Sequence, residues 1–384
     1  MGMLWALSGI KDLVIVEFGP EGTTRCFLES LNHYHCEAEA KIFTTMMDQD
    51  VVVLGDSGRL LKTLSEVDEK YAPEFIIVLD SSVASVIGID TEGLCREFQP
   101  LIKARLLPVT GGGLSGIWTD GLAAAMKLLA EIAAGRRIRG GAFNILGCCA
   151  DEFNHRAEAE EIGQLLQGLF GVKINCILSA KASINDCKAM GNADVNIVLR
   201  REALAAAQIL QDRFGIPSIY GRPYGLEGTL RWVKQVEEAA GLRADWESLA
   251  GRLARLKTLI VGVKAAASSK SAKAVVIGGH LDTVIGLRSF IADELGLPVY
   301  CYSNIPNNDK GEVPYRTEEE CRRLVTSDTA LVMADGLNLR LVNHEGRIRT
   351  AYPEVDGICA GQPALMGLGG AAYITEMLRI RLQG

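Results

Sequence analysis

Phe18-Gly19-Pro20-Glu21-Gly22-Thr23-Thr24-Arg25-Cys26 follows directly on an apolar run at 13–16 that reads as a buried strand. A strand running into Gly-Pro-x-Gly predicts a sharp turn that brings the backbone close to a neighbour. Glycine accepts positive φ, and proline pre-sets its own. Gly19 and Gly22 are the turn residues in this reading, and Thr23, Arg25 and Cys26 are the side chains that the turn presents.

Outward from this stretch the chain reads as three strand–helix–strand blocks. The first has strands at 51–55, 75–79 and 106–109, with a helix through Leu60, Leu64 and Val67 and another over 120–133. A polar, glycine-rich segment at 134–141 predicts a boundary. The second block has strands at 143–146, 173–178, 193–199 and 218–220, with helices at 158–170 and 202–214. Helices at 227–240 and 245–259 lead to strands at 274–277, 299–302 and 330–333. Strands alternating with helices of ten or more residues imply parallel sheets with right-handed crossovers. The expected fold is α/β: three tandem Rossmann- or flavodoxin-like domains at 1–140, 141–245 and 246–384, around a central cleft. Residues 111–116, Gly-Gly-Gly-Leu-Ser-Gly, are read only as a glycine cluster, so NAD binding is not expected.

The 384 residues are 48% hydrophobic and carry a net charge of −7, which argues against disorder and against non-specific nucleic-acid or anionic-membrane binding. No targeting segment and no uninterrupted apolar stretch long enough for a membrane span is visible, so a cytoplasmic location is expected. The ten cysteines, none in a C-x-x-C pair, then read as reduced thiols outside the zinc-ribbon and ferredoxin patterns.

Several segments resemble, in the correct order, the nitrogenase component 1 family. The stretch at 18–26 is similar to the family's His-Gly-Pro-x-Gly-Cys loop, with Phe18 in the histidine's place and Thr23 in the cysteine's. The segment ending Asp50-Val51-Val52-Val53-Leu54-Gly55 resembles its next strand and helix, and Ser82 to Asp90 resembles its Cys…Ile-Gly-Asp-Asp segment, with Ser82 at the cysteine. Further matches are the glycines at 111–116, Phe214-Gly215-Ile216-Pro217, Pro223 to Thr229, and Met366-Gly367-Leu368-Gly369-Gly370. The resemblance implies a reductase subunit that receives electrons from an ATP-dependent iron protein through an iron–sulfur cluster shared with a partner. That partner would be a second copy or a paralogous cluster-bearing subunit. The positions nearest the family's cofactor-binding cysteine and histidine are Leu199 and Met366. Hydroxyl and apolar side chains do not replace thiolate, so a standard P-cluster or molybdenum cofactor is not expected.

Each candidate has an ordinary structural reading beside it. Cys26, three residues beyond Thr23, is a displaced metal ligand, with Cys36 and Cys95 as possible companions, or a small buried hydrophobe. Cys148 and Cys149 follow a strand's carboxyl end, where open α/β sheets place ligands, but neighbours there point opposite ways. Arg25, Arg222 and His280 together would hold an anionic substrate; the alternative is solvation or an interdomain salt bridge. His280 is a proton donor or metal ligand, or part of a capping loop around Asp282. His33-Tyr34-His35-Cys36 suggests a metal site against a plain surface, and the loop at 304–309 would line the cleft. The leading expectation is a nitrogenase-like oxidoreductase subunit acting on a small molecule or tetrapyrrole. The alternatives are a non-catalytic scaffold or carrier binding a ligand in the cleft, and an α/β enzyme that has kept only the fold.

Overall fold

The computed structural model describes residues 1–33, 38–114, 116–137, 141–306, 312–342, 344–351 and 361–383. Among these, twelve strands form three four-stranded parallel sheets. In the first, β1 (Val14–Phe18), β2 (Lys41–Thr44), β3 (Phe75–Asp80) and β4 (Arg105–Val109) lie in the order β2-β1-β3-β4. In the second, β5 (Ala142–Leu146), β6 (Lys173–Leu178), β7 (Val195–Val198) and β8 (Ser218–Tyr220) lie as β6-β5-β7-β8. The third repeats the pattern with β9 (Lys273–Ile277), β10 (Val299–Tyr302), β11 (Thr329–Ala334) and β12 (Arg347–Arg349), as β10-β9-β11-β12.

The central strands β1, β7 and β11 are buried along their whole length, as parallel sheets covered on both faces require. One apolar core joins the first sheet to the second, with Leu4, Ile15 and Ile77 in the same cluster as Leu146 and Leu178. A second joins the second sheet to the third, with Phe143 and Ile145 clustering with Val276, Leu256 and Leu378. A short parallel bridge, Ile10 on Ala182 and Lys11 on Ser183, ties the amino-terminal segment to the second sheet. The second sheet is therefore the common neighbour. We retain 1–140, 141–245 and 246–384 as a proposed division, because each span holds one sheet. Among the described residues no helix is long and apolar enough to cross a membrane.

Two expectations are overturned. The apolar run at 51–55 is no strand: it is the short helix Gln49–Leu54, with Asp48 accepting from the Val51 N–H and Gly55 ending it at φ 68°. Both termini are built by standard caps, and these override the β-branched composition. Val53 and Leu54 are 79% and 76% exposed. The strand of that block is the earlier β2, which carries little sequence signal.

The second correction concerns 18–26. The helix Glu21–His33 starts immediately after Pro20, whose fixed φ suits a helix entry, so Gly22, Thr23, Arg25 and Cys26 are helical. Neither Gly19 nor Gly22 has positive φ. Gly19 is needed for space: a Cβ there would lie 2.4 Å from the Ser81 Cβ, where the ends of β1 and β3 meet. Gly22 faces open space.

Candidate functional site

In all three sheets the strand order reverses beside the first strand, and open α/β sheets place ligands at the carboxyl ends of strands there. In the second sheet this point is filled by charge. β7 runs through buried Leu199 into Arg200, whose side chain is 1% exposed. Its Nη1 donates to both oxygens of Asp151 at 3.0 Å, its Nε to Glu202 at 2.7 Å, and its Nη2 to Nδ1 of His280 at 3.0 Å. Asp151 belongs to the segment after β5, and His280 to the end of β9. The second and third sheets thus meet, carboxyl edge to carboxyl edge, through one guanidinium. Trp118, from the helix Trp118–Glu131 that follows the first sheet, packs edge-on against the His280 ring at 4.7 Å.

Arg222 makes the second half of this joint. It donates to Glu152 at 2.5 Å, to the Thr283 hydroxyl at 2.6 Å and to the Leu199 carbonyl at 2.5 Å, and Thr283 donates onward to Glu152 at 3.2 Å. Beside it Asp282 accepts from the Arg201 backbone at 2.7 Å, from its guanidinium at 3.0 Å and from the Tyr220 hydroxyl at 2.6 Å. Burial raises the Glu152 carboxyl, but Arg222 and Arg200 outweigh it and hold it down to about 2. Burial lowers His280. The geometry agrees, because a guanidinium only donates, so Nδ1 must present its lone pair and the ring is neutral. His280 is a clamped acceptor here, not a free acid. Arg200 and Arg222 already have carboxylate partners, so neither guanidinium is left over for an anionic substrate.

Nearby, Glu158 accepts from the Leu365 and Met366 N–H groups at 2.9 Å each. Burial raises its carboxyl to about 7. Leu199 and Met366, the positions nearest the family's cofactor ligands, sit together in the core between the second and third sheets. Cys148 and Cys149 point into different cores, as adjacent residues after a strand do. Burial pushes both thiols well up, and raises Cys95 and Cys301 to about 12 and Cys321 to about 11. The cysteines described are all free, and all but Cys26 are buried.

The first sheet's carboxyl edge is built differently. Thr23 and Cys26 share one side of the helix Glu21–His33, one turn apart, and both are exposed. Ser82 is exposed at the start of the helix Ser82–Val86. Arg25 is also exposed and pairs with Glu29 at 2.8 Å, so it does not join Arg222 and His280. Beside them lies an apolar groove of about 440 Å³ lined by Pro20, Met47, Val52, Val53 and Val83, with Leu54 and Val86 exposed at 76% and 71%. Beneath, Glu17 is buried, accepts from the Thr24 hydroxyl and is raised by burial.

An iron–sulfur cluster needs several thiolates. This edge offers one thiol, Cys26, and two hydroxyls, and among the described residues no three His, Cys, Asp or Glu gather to hold a metal. The described residues alone do not fit a cluster. His35, Cys36 and residues 307–309 lie outside the described residues; Asn304 donates to Asp335 at 2.8 Å.

Sequence reasoning singled out Arg222 and His280 but passed over Arg200, Asp151, Glu152 and Glu158. The available signal was charge placed directly after a buried strand: Val198-Leu199-Arg200, and Asp151-Glu152 two residues past Gly147 and the cysteine pair.

The family model described as nitrogenase component 1 type oxidoreductase matches residues 1–343. The chain is 23% identical to a subunit of the light-independent protochlorophyllide reductase of Leptolyngbya boryana over 362 residues, covering 88% of this chain and 69% of that protein. The same subunit from Nostoc punctiforme is 23% identical, with 88% and 72% covered. That of Methylocella silvestris is 30% identical over 251 residues, 63% of this chain and about half, 49%, of the relative. A structure of nitrogenase Cp1 at pH 6.5 superposes with a TM-score of 0.82 over 100% of this chain and 91% of that one, at 16% identity, which speaks for the fold. With the match running through the first two sheets and into the third, the chain belongs to the nitrogenase component 1 type oxidoreductase family.

Proposed function

We propose that this chain is one subunit of a nitrogenase-like reductase complex, pairing through the carboxyl edge of its first sheet with a cluster-bearing paralogue or a second copy. Electrons would come from an ATP-dependent iron protein and reduce a small molecule or a tetrapyrrole of the protochlorophyllide type. A cytoplasmic setting suits its free thiols. The observation that carries this reading is the first-sheet edge. Two exposed hydroxyls, Thr23 and Ser82, stand at the family's ligand positions with the Cys26 thiol one turn on, and Val53, Leu54 and Val86 are 71–79% exposed on the same edge. Apolar side chains this open, on one edge with polar ones, suit a partner surface. The partner would supply most thiolates, and Cys26 at most one.

Anaerobic co-purification with analysis of iron and sulfide tests it. Iron in the complex, lowered by Cys26→Ala, is the expected result; no iron in either the chain or its native complex sinks the electron-relay reading. One observation favours a second reading, a carrier or scaffold: every described cysteine except Cys26 is buried, with its thiol raised where a shift is resolved. That reading predicts ligand binding without turnover.

A further inference from the structure

The first sheet leaves one side open. Its edge strand β2 pairs with β1, and among the described residues no strand lies on its other side. The Lys41 and Thr45 N–H groups point inward, donating to the Leu13 and Glu17 carbonyls at 2.9 and 3.0 Å. Alternate residues of a parallel strand turn their amides opposite ways, so Ile42 and Thr44 turn theirs outward.

The helix Gly58–Tyr71 stands beside this edge. Leu60, Leu64 and Val67 face the core, which leaves Arg59, Lys62, Glu66 and Lys70 as an exposed stripe along another side. Strand and stripe line one groove of about 560 Å³, together with Tyr71, whose ring lies 5.2 Å from that of Phe43. We propose that this groove takes an extended, acidic segment of a partner protein, added to the first sheet as a further strand beside β2.

The outward amides call for a peptide, because a strand laid along an open edge repeats donors and acceptors at the spacing that the edge offers. Charge says which peptide. Lys41 and Lys70 both lie over the Tyr71 ring, at 5.8 and 5.3 Å, and neither has a carboxylate partner among the described residues. Two ammonium groups held at one ring repel each other, and a carboxylate brought to them relieves this. Arg59 is taken up by Asp48, and Lys62 lies 3.9 Å from Glu66, so the groove keeps its positive charge in a chain whose net charge is −7. Lysine on an edge discourages promiscuous pairing, and here it selects the strand whose charge answers it. A nucleic acid brings charge but no amides for the ladder. A second copy paired edge to edge sets lysine against lysine, which is unfavourable.

Fluorescence anisotropy of a fluorescein-labelled peptide of alternating glutamate and valine, titrated with the full chain, tests this. Saturable binding that weakens with added salt is expected. The same peptide with lysine in place of glutamate should bind at least tenfold more weakly. So should the glutamate peptide with its backbone N–H groups methylated, which removes donors and leaves charge. Lys41→Gln combined with Lys70→Gln, both in water, should raise the dissociation constant tenfold or more while the circular dichroism stays unchanged. No saturable binding overturns the proposal, as does equal binding of the acidic and basic peptides, or binding that neither methylation nor the double variant weakens. Iron in the complex is a separate readout, so this proposal and the electron-relay reading fail independently.

Discussion

At the carboxyl edge of the first sheet, Thr23, Cys26 and Ser82 are exposed, and an apolar groove runs past Pro20 and Val83. At the equivalent edge of the second sheet, Asp151, Glu152, Arg200 and Arg222 are sealed between two sheets and satisfy one another. Both edges come from the same strand order. One exposes the positions where the family resemblance leads one to look for chemistry. The other has turned its ligand crevice into a joint. Topology decides where a crevice forms; the residues at the strand ends decide whether it stays a site.

The largest test of that contrast is Arg200→Ala. Removing one partner of a buried ion pair leaves Asp151 and Glu202 uncompensated and should cost about 3–5 kcal/mol, read as a lower denaturant midpoint. A midpoint within error of wild type would mean that the joint does not hold the two sheets.

Next is the pH dependence at Glu158. Its folded value of about 7 lies above the ordinary 4.5, so between these values the native chain holds a proton that the unfolded chain has released. The contribution of this carboxyl to stability therefore falls as pH rises through this window, by about 3 kcal/mol in total. Glu158→Gln should remove this falling contribution, so that the variant's stability rises more steeply with pH than that of the wild type across the same window. His155 works in the opposite sense. Its folded value of about 4 lies below the ordinary 6.5, so its contribution is lost as pH falls from 6.5 towards 4. Chemical denaturation at half-unit pH steps separates the two; an unchanged slope in Glu158→Gln would remove that carboxyl from the account.

A double-mutant cycle of Arg222→Ala with Glu152→Gln should give a coupling of ~2 kcal/mol. Additive effects would show that the short contact carries no energy. At the small end, Thr23→Ala and Ser82→Ala should leave the isolated chain's midpoint unmoved, because both side chains are in water. A clear loss of stability there would erase the difference between the two edges.

Much of the fold was legible because parallel strands buried on both faces read as continuous apolar runs. The runs at 75–79 and 143–146 lie in β3 and β5 for this reason. The reading failed at 51–55, where three consecutive valines outweighed the caps at Asp48 and Gly55, and at β2, where Lys41 and two threonines flank only two apolar residues. Of the candidate site, Arg222 and His280 were legible as charges at strand ends, while their partners were not. An ion pair joins residues by geometry, and 151, 200 and 280 share no spacing that a sequence displays. Arg25 had the right chemistry in the wrong setting, since a helix starting at Glu21 carries it to the surface.

Trp118 has the His280 imidazole on one side at 4.7 Å and Trp5 edge-on at 6.0 Å on the other. Indole emission responds to a ring pressed against it, and an imidazole quenches most strongly once it gains a second proton. Because Arg200 keeps His280 neutral, the quenching at Trp118 changes only when that grip loosens. The molecule therefore carries its own dye at the point where all three sheets converge, and a stopped-flow fluorimeter can watch the joint open without any label.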